Sequence, residues 1–259
     1  TGLQDMRAWA RLAVLAFCFG SSFVTRDAAA QKQRVVPEAR IESARGVALG
    51  TGSRATSAAT QAQADNPANI VSGGVYHIET LAGYSPTFKR LSYGGAVVDS
   101  MTSKLAAGIS ARGLYGDNDA GENSGWEGRV SLAVPIGEML SIGLAGRYAN
   151  FTVSDQKAKP ERPPMAGSTT VDQTFKLKAF TMDGAITLRL SESFQLSALA
   201  YNFIDTDTPL APLMVGGSAG FSISSGFTLG GDVLVDLNTH DAYNGAKLLA
   251  GGGVEYLAQ

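Results

Sequence analysis

Residues 126–150 read WEGRVSLAVPIGEMLSIGLAGRYAN, and this stretch decides the fold. Side-chain character alternates with a period of two in both arms, around a tight turn at residues 136–138. One face is uncharged and includes aromatic rings, whereas the other carries Glu127, Arg129 and Arg147. The pattern predicts a long, two-faced β-hairpin. Because a soluble sheet and a membrane barrel share this alternation, the remaining sequence must distinguish them.

Length and composition limit the classes of protein. The chain has 259 residues, of which 31 are glycine, 44% are hydrophobic and only 17% are charged. No apolar run after residue 30 approaches the roughly 20 residues that a membrane helix needs, so any crossing of a membrane must be made by strands. The net charge of -2 and the lack of a basic stripe argue against a nucleic-acid partner.

The N-terminus has the organisation of an export signal. Arg7 and Arg11 precede an apolar run at residues 12–24, and small residues at 28–30 offer a cleavage site. We therefore predict a cleaved signal peptide at residues 1–30.

The only cysteine, Cys18, lies inside this predicted signal peptide. Its lipidation is the alternative to cleavage, but Phe17 is not the small residue that lipidation sites prefer. A mature chain cleaved after residue 30 would contain no cysteine and no disulfide.

Residues 31–74 are rich in Ala, Ser, Thr, Gln and Gly and have no strong period. Two interpretations are open: a flexible periplasmic leader, or a compact insert that packs inside something larger, since small side chains allow close approach of backbones. Asp65, Asn66, Pro67 and Ala68 predict a turn or a helix start, with Asp or Asn as the cap and Pro opening the next turn.

From residue 75 the alternation is regular and predicts ten strands. Each is at least about the 9 to 11 residues that a tilted strand needs to cross a bilayer. Long connections are expected after the odd strands and tight turns after the even ones, as in outer-membrane barrels. The predicted strands are 75–84, 91–98, 104–115, 126–135, 139–150, 174–190, 194–203, 213–223, 227–237 and 245–257.

The two faces of these strands differ in chemistry. We assign the uncharged face to outer-membrane lipid and the charged face to a lumen, where acids and bases can pair. Aromatic residues near both ends of the strands predict two girdles at the membrane interfaces. The plug and lumen candidates are Asp65, Asn66, Pro67, Ala68, His77, Glu79, Arg112, Glu127, Arg129, Arg147, Asp183, Arg189 and Asp232.

The predicted fold is all-β, a transmembrane antiparallel up-and-down β-barrel with an N-terminal plug-like segment. Its regions are the signal peptide at 1–30, the small-residue segment at 31–74 and the barrel at 75–259. The last strand lacks the terminal aromatic residue common in bacterial barrels, so we expect further strands beyond Gln259. A soluble exported β protein is the alternative.

Two stretches resemble a known family. RGVALGTGSRATSAATQAQADNPANI at residues 45–70 resembles the N-terminal segment of the outer-membrane barrels related to the long-chain fatty-acid transporter FadL and the secretion-system barrel PorV. YGGAVVDSMTSKLAAGISAR at 93–112 is similar to their early hairpin. The resemblance implies about fourteen strands, within the range of bacterial barrels, around an N-terminal plug. The chain departs from the family at Asn69, where a glycine usually follows Asn-Pro-Ala.

The resemblance and the two-faced pattern predict a transporter or channel for small hydrophobic molecules in the outer membrane of a Gram-negative bacterium. The alternative is a non-conducting barrel that docks exported or cell-surface proteins, with the loop at 152–173 as the docking site. No enzyme activity, cofactor or metal site is predicted, because no catalytic set is evident and the two histidines, His77 and His240, are expected to lie far apart.

Overall fold

The computed structural model describes residue 45 and residues 52–85, 90–118, 121–155, 173–206, 208, 210–224, 226–238 and 248–256. The predicted signal peptide, Cys18, His240 and most of the loop at 152–173 lie outside these residues. The described residues belong to one compact unit, Val35–Gln259.

Ten antiparallel strands form one sheet, and each strand pairs with the next along the chain. The predicted all-β class, strand number and up-and-down order are confirmed. Within the described ranges, β1 and β10 are the two edges of the sheet. The strands are β1 (Tyr76–Ser85), β2 (Arg90–Asp99), β3 (Ala106–Asn118), β4 (Gly121–Ile136), β5 (Leu140–Asp155), β6 (Gln173–Arg189), β7 (Phe194–Tyr201), β8 (Met214–Ser224), β9 (Phe227–Asp236) and β10 (Leu248–Tyr256).

The opening hairpin forms as predicted. β4 pairs with β5 from Asn123↔Val153 to Ile136↔Leu140, so the two arms stay in register along their whole length. Gly137 in the turn has a φ of 67°, a left-handed conformation that glycine adopts without strain.

Several connections differ from the predicted pattern of long loops and tight turns. The expected long loop around residues 115–125 is wrong, because β3 runs to Asn118 and β4 begins at Gly121. Here polar residues continue the ladder, since strand pairing satisfies backbone groups whatever the side chains are. From β5 onward, long connections at 156–172, 202–213 and 237–247 alternate with short turns.

The alternation sorts the side chains into an apolar and a charged face, and the apolar face is the exposed one. Ile109 on β3 is 59% exposed, whereas its neighbour Ser110 is 6% exposed. The same contrast separates Val130, at 56%, from Arg129, at 4%. A sheet folded in water shows the reverse, with its apolar face buried. We call the charged, buried side the inner face and the other side the outer face.

Two short helices precede the sheet: α1 (Ala59–Asp65) and a 3₁₀ helix (Pro67–Val71). Most of their side chains are buried, including Gln63 and Ile70, and so is Asn66 between them. Residues 52–74 are called the N-terminal segment below, and most of those between 52 and 71 are buried. No helix in the described part of the chain is long and apolar enough to span a membrane.

Candidate functional site

The N-terminal segment lies against the inner face and, together with Arg45, contacts every strand of the sheet. Its central residue is Gln63, whose side chain lies against Gly108 of β3 and donates to the carbonyl of Val97 in β2 at 3.1 Å. The other contacts are Thr60 to Glu79 of β1, Gln63 to Arg129 of β4, Pro67 to Gly143 of β5, Asn66 to Thr187 of β6 and Ser197 of β7, Thr56 to Gly220 of β8, Arg54 to Asp232 of β9 and Arg45 to Glu255 of β10.

Glycines on the inner face let the segment approach closely. A Cβ added to Gly143 would overlap the backbone of Pro67 and Ala68, and one added to Gly230 would overlap the carbonyl oxygen of Gly52. Any larger residue at these positions would push the segment away from the sheet. The close approach of small residues expected from the sequence is present on both sides of this interface.

Asn66 anchors the segment to the sheet. Its Nδ2 donates to Thr187 Oγ1 at 3.1 Å, to Ser197 Oγ at 2.9 Å and to the carbonyl of Arg54 at 3.2 Å. Asn66 occupies the N-cap position of the 3₁₀ helix, but its side chain makes no capping hydrogen bond. The prediction of a side-chain cap is therefore wrong, because the amide binds the sheet instead. Pro67 does open the helix, as expected.

Five of the predicted lumen residues form a charged belt across β3 to β6: Arg112, Glu127, Arg129, Arg147 and Asp183. All five are buried. Arg129 Nη1 lies 2.7 Å from Asp183 Oδ2 and also donates to the carbonyl of Gln63 at 2.9 Å. Arg147 Nη1 lies 3.3 Å from Glu127 Oε2. Two acid–base pairs therefore lie within this belt.

A second group of ion pairs lies near β9 and β10. Arg54 pairs with Asp232 at 2.9 Å, and its backbone N–H donates to the same carboxylate oxygen at 3.3 Å. Arg45 pairs with Glu255 at 2.7 Å, in a more exposed position. Arg54 belongs to the N-terminal segment and Arg45 precedes it; we call the two together the N-terminal region. Ion pairs therefore hold this region to the last two strands.

Three predicted lumen residues stand apart from the belt. Glu79 accepts a hydrogen bond from Thr60, and Arg189 donates to Ser72 Oγ at 3.0 Å. His77 lies at the edge of the sheet on β1 and is exposed. The structure does not bring these three residues together into one group.

An apolar cluster that was not predicted from the sequence lies on the inner face, beyond the charged belt toward the long connections. It contains Leu114, Ala149, Phe151, Val153, Leu177, Leu210 and Ala211. The signal was present in β5, where the inner positions after Arg147 are Ala149, Phe151 and Val153. These apolar residues share a face with Arg147, so the period of two assigns them to the charged side of the strand.

Asn202 couples this cluster to the belt. Its Oδ1 accepts from Arg147 Nη2 at 2.5 Å, and its backbone N–H donates to Asp183 Oδ1 at 2.9 Å. Its Nδ2 donates to the carbonyl of Pro212 at 2.8 Å, which holds the connection that carries Leu210. Asn202 has a φ of 54°, a left-handed conformation that asparagine tolerates better than most residues.

The site therefore has three layers along the strands: the N-terminal segment, the charged belt and the apolar cluster. No group of three or more His, Cys, Asp or Glu side chains suited to a metal ion occurs among the described residues. No protein-family model matches this chain, and no curated protein matches it.

Proposed function

We propose that the chain is an outer-membrane β-barrel whose wall surrounds the N-terminal segment as a plug and which admits small hydrophobic molecules. The observation that carries this proposal is the contact between the N-terminal region and the inner face of all ten strands. The exposed apolar outer face supports the same conclusion, because contact with lipid makes such a surface favourable.

The contact with every strand favours a curled wall. Ten strands laid flat at about 4.8 Å spacing would span roughly 43 Å. Thr60 contacts β1 and Asn66 contacts β7, strands that a flat sheet would place roughly 29 Å apart. Six residues of helix rise only about 9 Å, so a flat sheet would leave one of these strands beyond reach. A sheet curled around the segment removes this difficulty.

The apolar cluster supports a hydrophobic ligand. A molecule entering from the end with the long connections meets Phe151, Val153 and Leu177 before it reaches the charged belt. In this conformation Leu210 and Ala211 fill the cluster. Entry therefore requires the connection at 202–213 to move, and passage requires the N-terminal segment to shift.

The interface around the segment is suited to such a shift. Hydrogen bonds and ion pairs, which water can replace, form a large part of it. Ala62, Ile70 and Ala68 add apolar contacts with the strands, and two of these three side chains are single methyl groups. The buried oxygens Asn66 Oδ1, Asn69 Oδ1 and Gln63 Oε1 have no partner among the described residues, and buried polar atoms of this kind commonly bind water.

Liposome uptake tests the proposal. The full-length chain should raise the uptake of a fluorescent hydrophobic probe above that of protein-free vesicles. Phe151→Ala alters the apolar cluster and should change this rate, whereas Phe221→Ala, the same change at an outer-face position that is 41% exposed, should not. Uptake equal to that of protein-free vesicles would reject transport.

The alternative is a barrel that docks exported proteins without conducting. The filled apolar cluster and the many contacts of the segment favour this alternative, because a docking role requires no described residue to move. Deletion of residues 157–171 in the loop between β5 and β6, followed by pull-down from an envelope extract, distinguishes the two. A docking barrel loses its partner, whereas a transporter keeps its uptake rate.

A further inference from the structure

The outer face of β4 to β6 carries a groove with a floor of glycine. Gly128 leaves it open, Gly146 lies beneath the ring of Phe180, and Leu144, Tyr148 and Met182 complete the lining. Its volume is about 440 Å³, and all of its lining is apolar or aromatic. A Cβ added to Gly128 would meet nothing nearer than 3.9 Å, so the floor at this point has free space above it.

Two lysines stand directly beyond the groove on the same face. Lys176 and Lys178 precede Phe180 on β6 by four and two residues, so all three share a face, and both lysines are exposed. Lys178 lies in one row of the sheet with Asn150 and Trp126, and Lys176 lies beside Thr152. These described neighbours are uncharged, so none of them pairs with either ammonium group.

Aromatic rings mark the level at which this change from apolar to charged occurs. Trp126 and Tyr148 are in contact, with ring centroids 5.5 Å apart, and Phe180 covers Gly146. Such rings prefer the boundary between acyl chains and headgroups. The groove then lies at the depth of acyl chains, and the lysines lie at the depth of headgroup phosphates.

We infer that this face binds one phosphate-bearing anionic lipid, with an acyl chain in the glycine-floored groove and its phosphate on Lys176 and Lys178. The inference rests on the proposed membrane location. It assigns the outer face a ligand that differs from any molecule passing through the lumen. The charge of the lysines selects an anionic headgroup over a zwitterionic one, and the groove selects a lipid over a free anion.

Quenching of Trp126 provides the test. The chain has two tryptophans, and Trp9→Phe leaves Trp126 as the only one. The full chain is reconstituted in phosphatidylcholine vesicles that contain a fraction of phosphatidylglycerol, with bromine on the acyl chains of one lipid or the other. Brominated phosphatidylglycerol should quench Trp126 more than brominated phosphatidylcholine at equal mole fraction.

The variants separate the charge from the groove. Lys176→Gln and Lys178→Gln should each lower the relative association constant for phosphatidylglycerol roughly fivefold. Gly128→Leu, which fills the groove, should also lower it. Lys104→Gln, which removes an exposed lysine from the turn between β2 and β3, should leave it unchanged.

Each remaining outcome is decisive. Equal quenching by both brominated lipids, or a Gly128→Leu variant with unaltered preference, overturns the bound lipid and leaves at most diffuse attraction by the lysines. Loss of the preference on adding inorganic phosphate at fixed ionic strength identifies a free-anion site and also overturns it. Absence of quenching by either lipid shows that Trp126 is not in a membrane, which rejects the proposed function itself.

Discussion

Arg129 and Asp183 form an ion pair of 2.7 Å between β4 and β6, and the same guanidinium nitrogen donates to the carbonyl of Gln63 in α1. Both side chains are no more than 3% exposed. One buried contact thus joins two strands of the wall to the N-terminal segment. The charged belt is a structural connection between the two parts of the molecule.

Removal of one partner of this pair should be costly. Asp183→Asn leaves Arg129 buried without its counter-ion, and we expect a loss of about 3 kcal/mol in the free energy of unfolding. Urea unfolding in detergent micelles measures it. The double variant Arg129→Met with Asp183→Leu should recover most of the loss, because no uncompensated charge remains. A double variant as unstable as Asp183→Asn would contradict this account.

Asn66→Ala should loosen the N-terminal segment. It removes a buried amide whose two N–H groups are shared among three acceptors, and we expect a cost of about 1–3 kcal/mol. Hydrogen exchange should increase in residues 52–71 before it increases in the strands. Asn238→Ala, which removes side-chain hydrogen bonds with Asp205 and with the backbone N–H of Leu213 but none with the segment, serves as the matched control. Equal exchange in the two variants would mean that Asn66 is not an anchor.

Two glycines on opposite faces should respond differently to the same change. Gly143→Ala places a methyl group into the backbone of Pro67 and Ala68, so the segment must move away from β5. Gly128→Ala on the outer face meets only Trp126, at 3.9 Å. We expect faster proteolysis of the segment in Gly143→Ala and an unchanged rate in Gly128→Ala. Similar cleavage rates in both would refute close packing at Gly143.

Leu210→Ala should open the apolar cluster. Leu210 is 2% exposed, and its truncation in a packed cluster costs about 2–5 kcal/mol when the site cannot collapse. If the connection at 202–213 blocks entry, the uptake of a hydrophobic probe by liposomes should rise as stability falls. Leu237→Ala, at a position that is 49% exposed, should alter neither. A slower uptake in Leu210→Ala would show that Leu210 guides the ligand and does not block it.

Much of the wall could be predicted from the alternation of side chains. The ten strands and the shared face of Arg129, Arg147 and Asp183 follow from the period of two, since a one-residue shift in register would reverse every side chain. The polar ends of β3 and β4 could not be predicted, because their ladder depends on backbone hydrogen bonds that any side chain permits.

The candidate site could be predicted only in part. The residues of the belt were identifiable as charges on one face, but their partners were not, because Arg129 finds Asp183 across an intervening strand and Gln63 much earlier in the chain. The apolar cluster remained hidden because Leu210 reaches it from a connection, where no period indicates direction.

The sequence by itself determined the strands, their order and which side chains share a face, because these properties depend on local periodicity and on short connections. Only the tertiary structure decided that the charged face is buried, that Asn66 holds Thr187 and Ser197, and that Leu210 completes an apolar layer above the belt. These contacts join residues distant in sequence. Their geometry depends on how the sheet and the N-terminal segment fit together, which no local pattern of residues specifies.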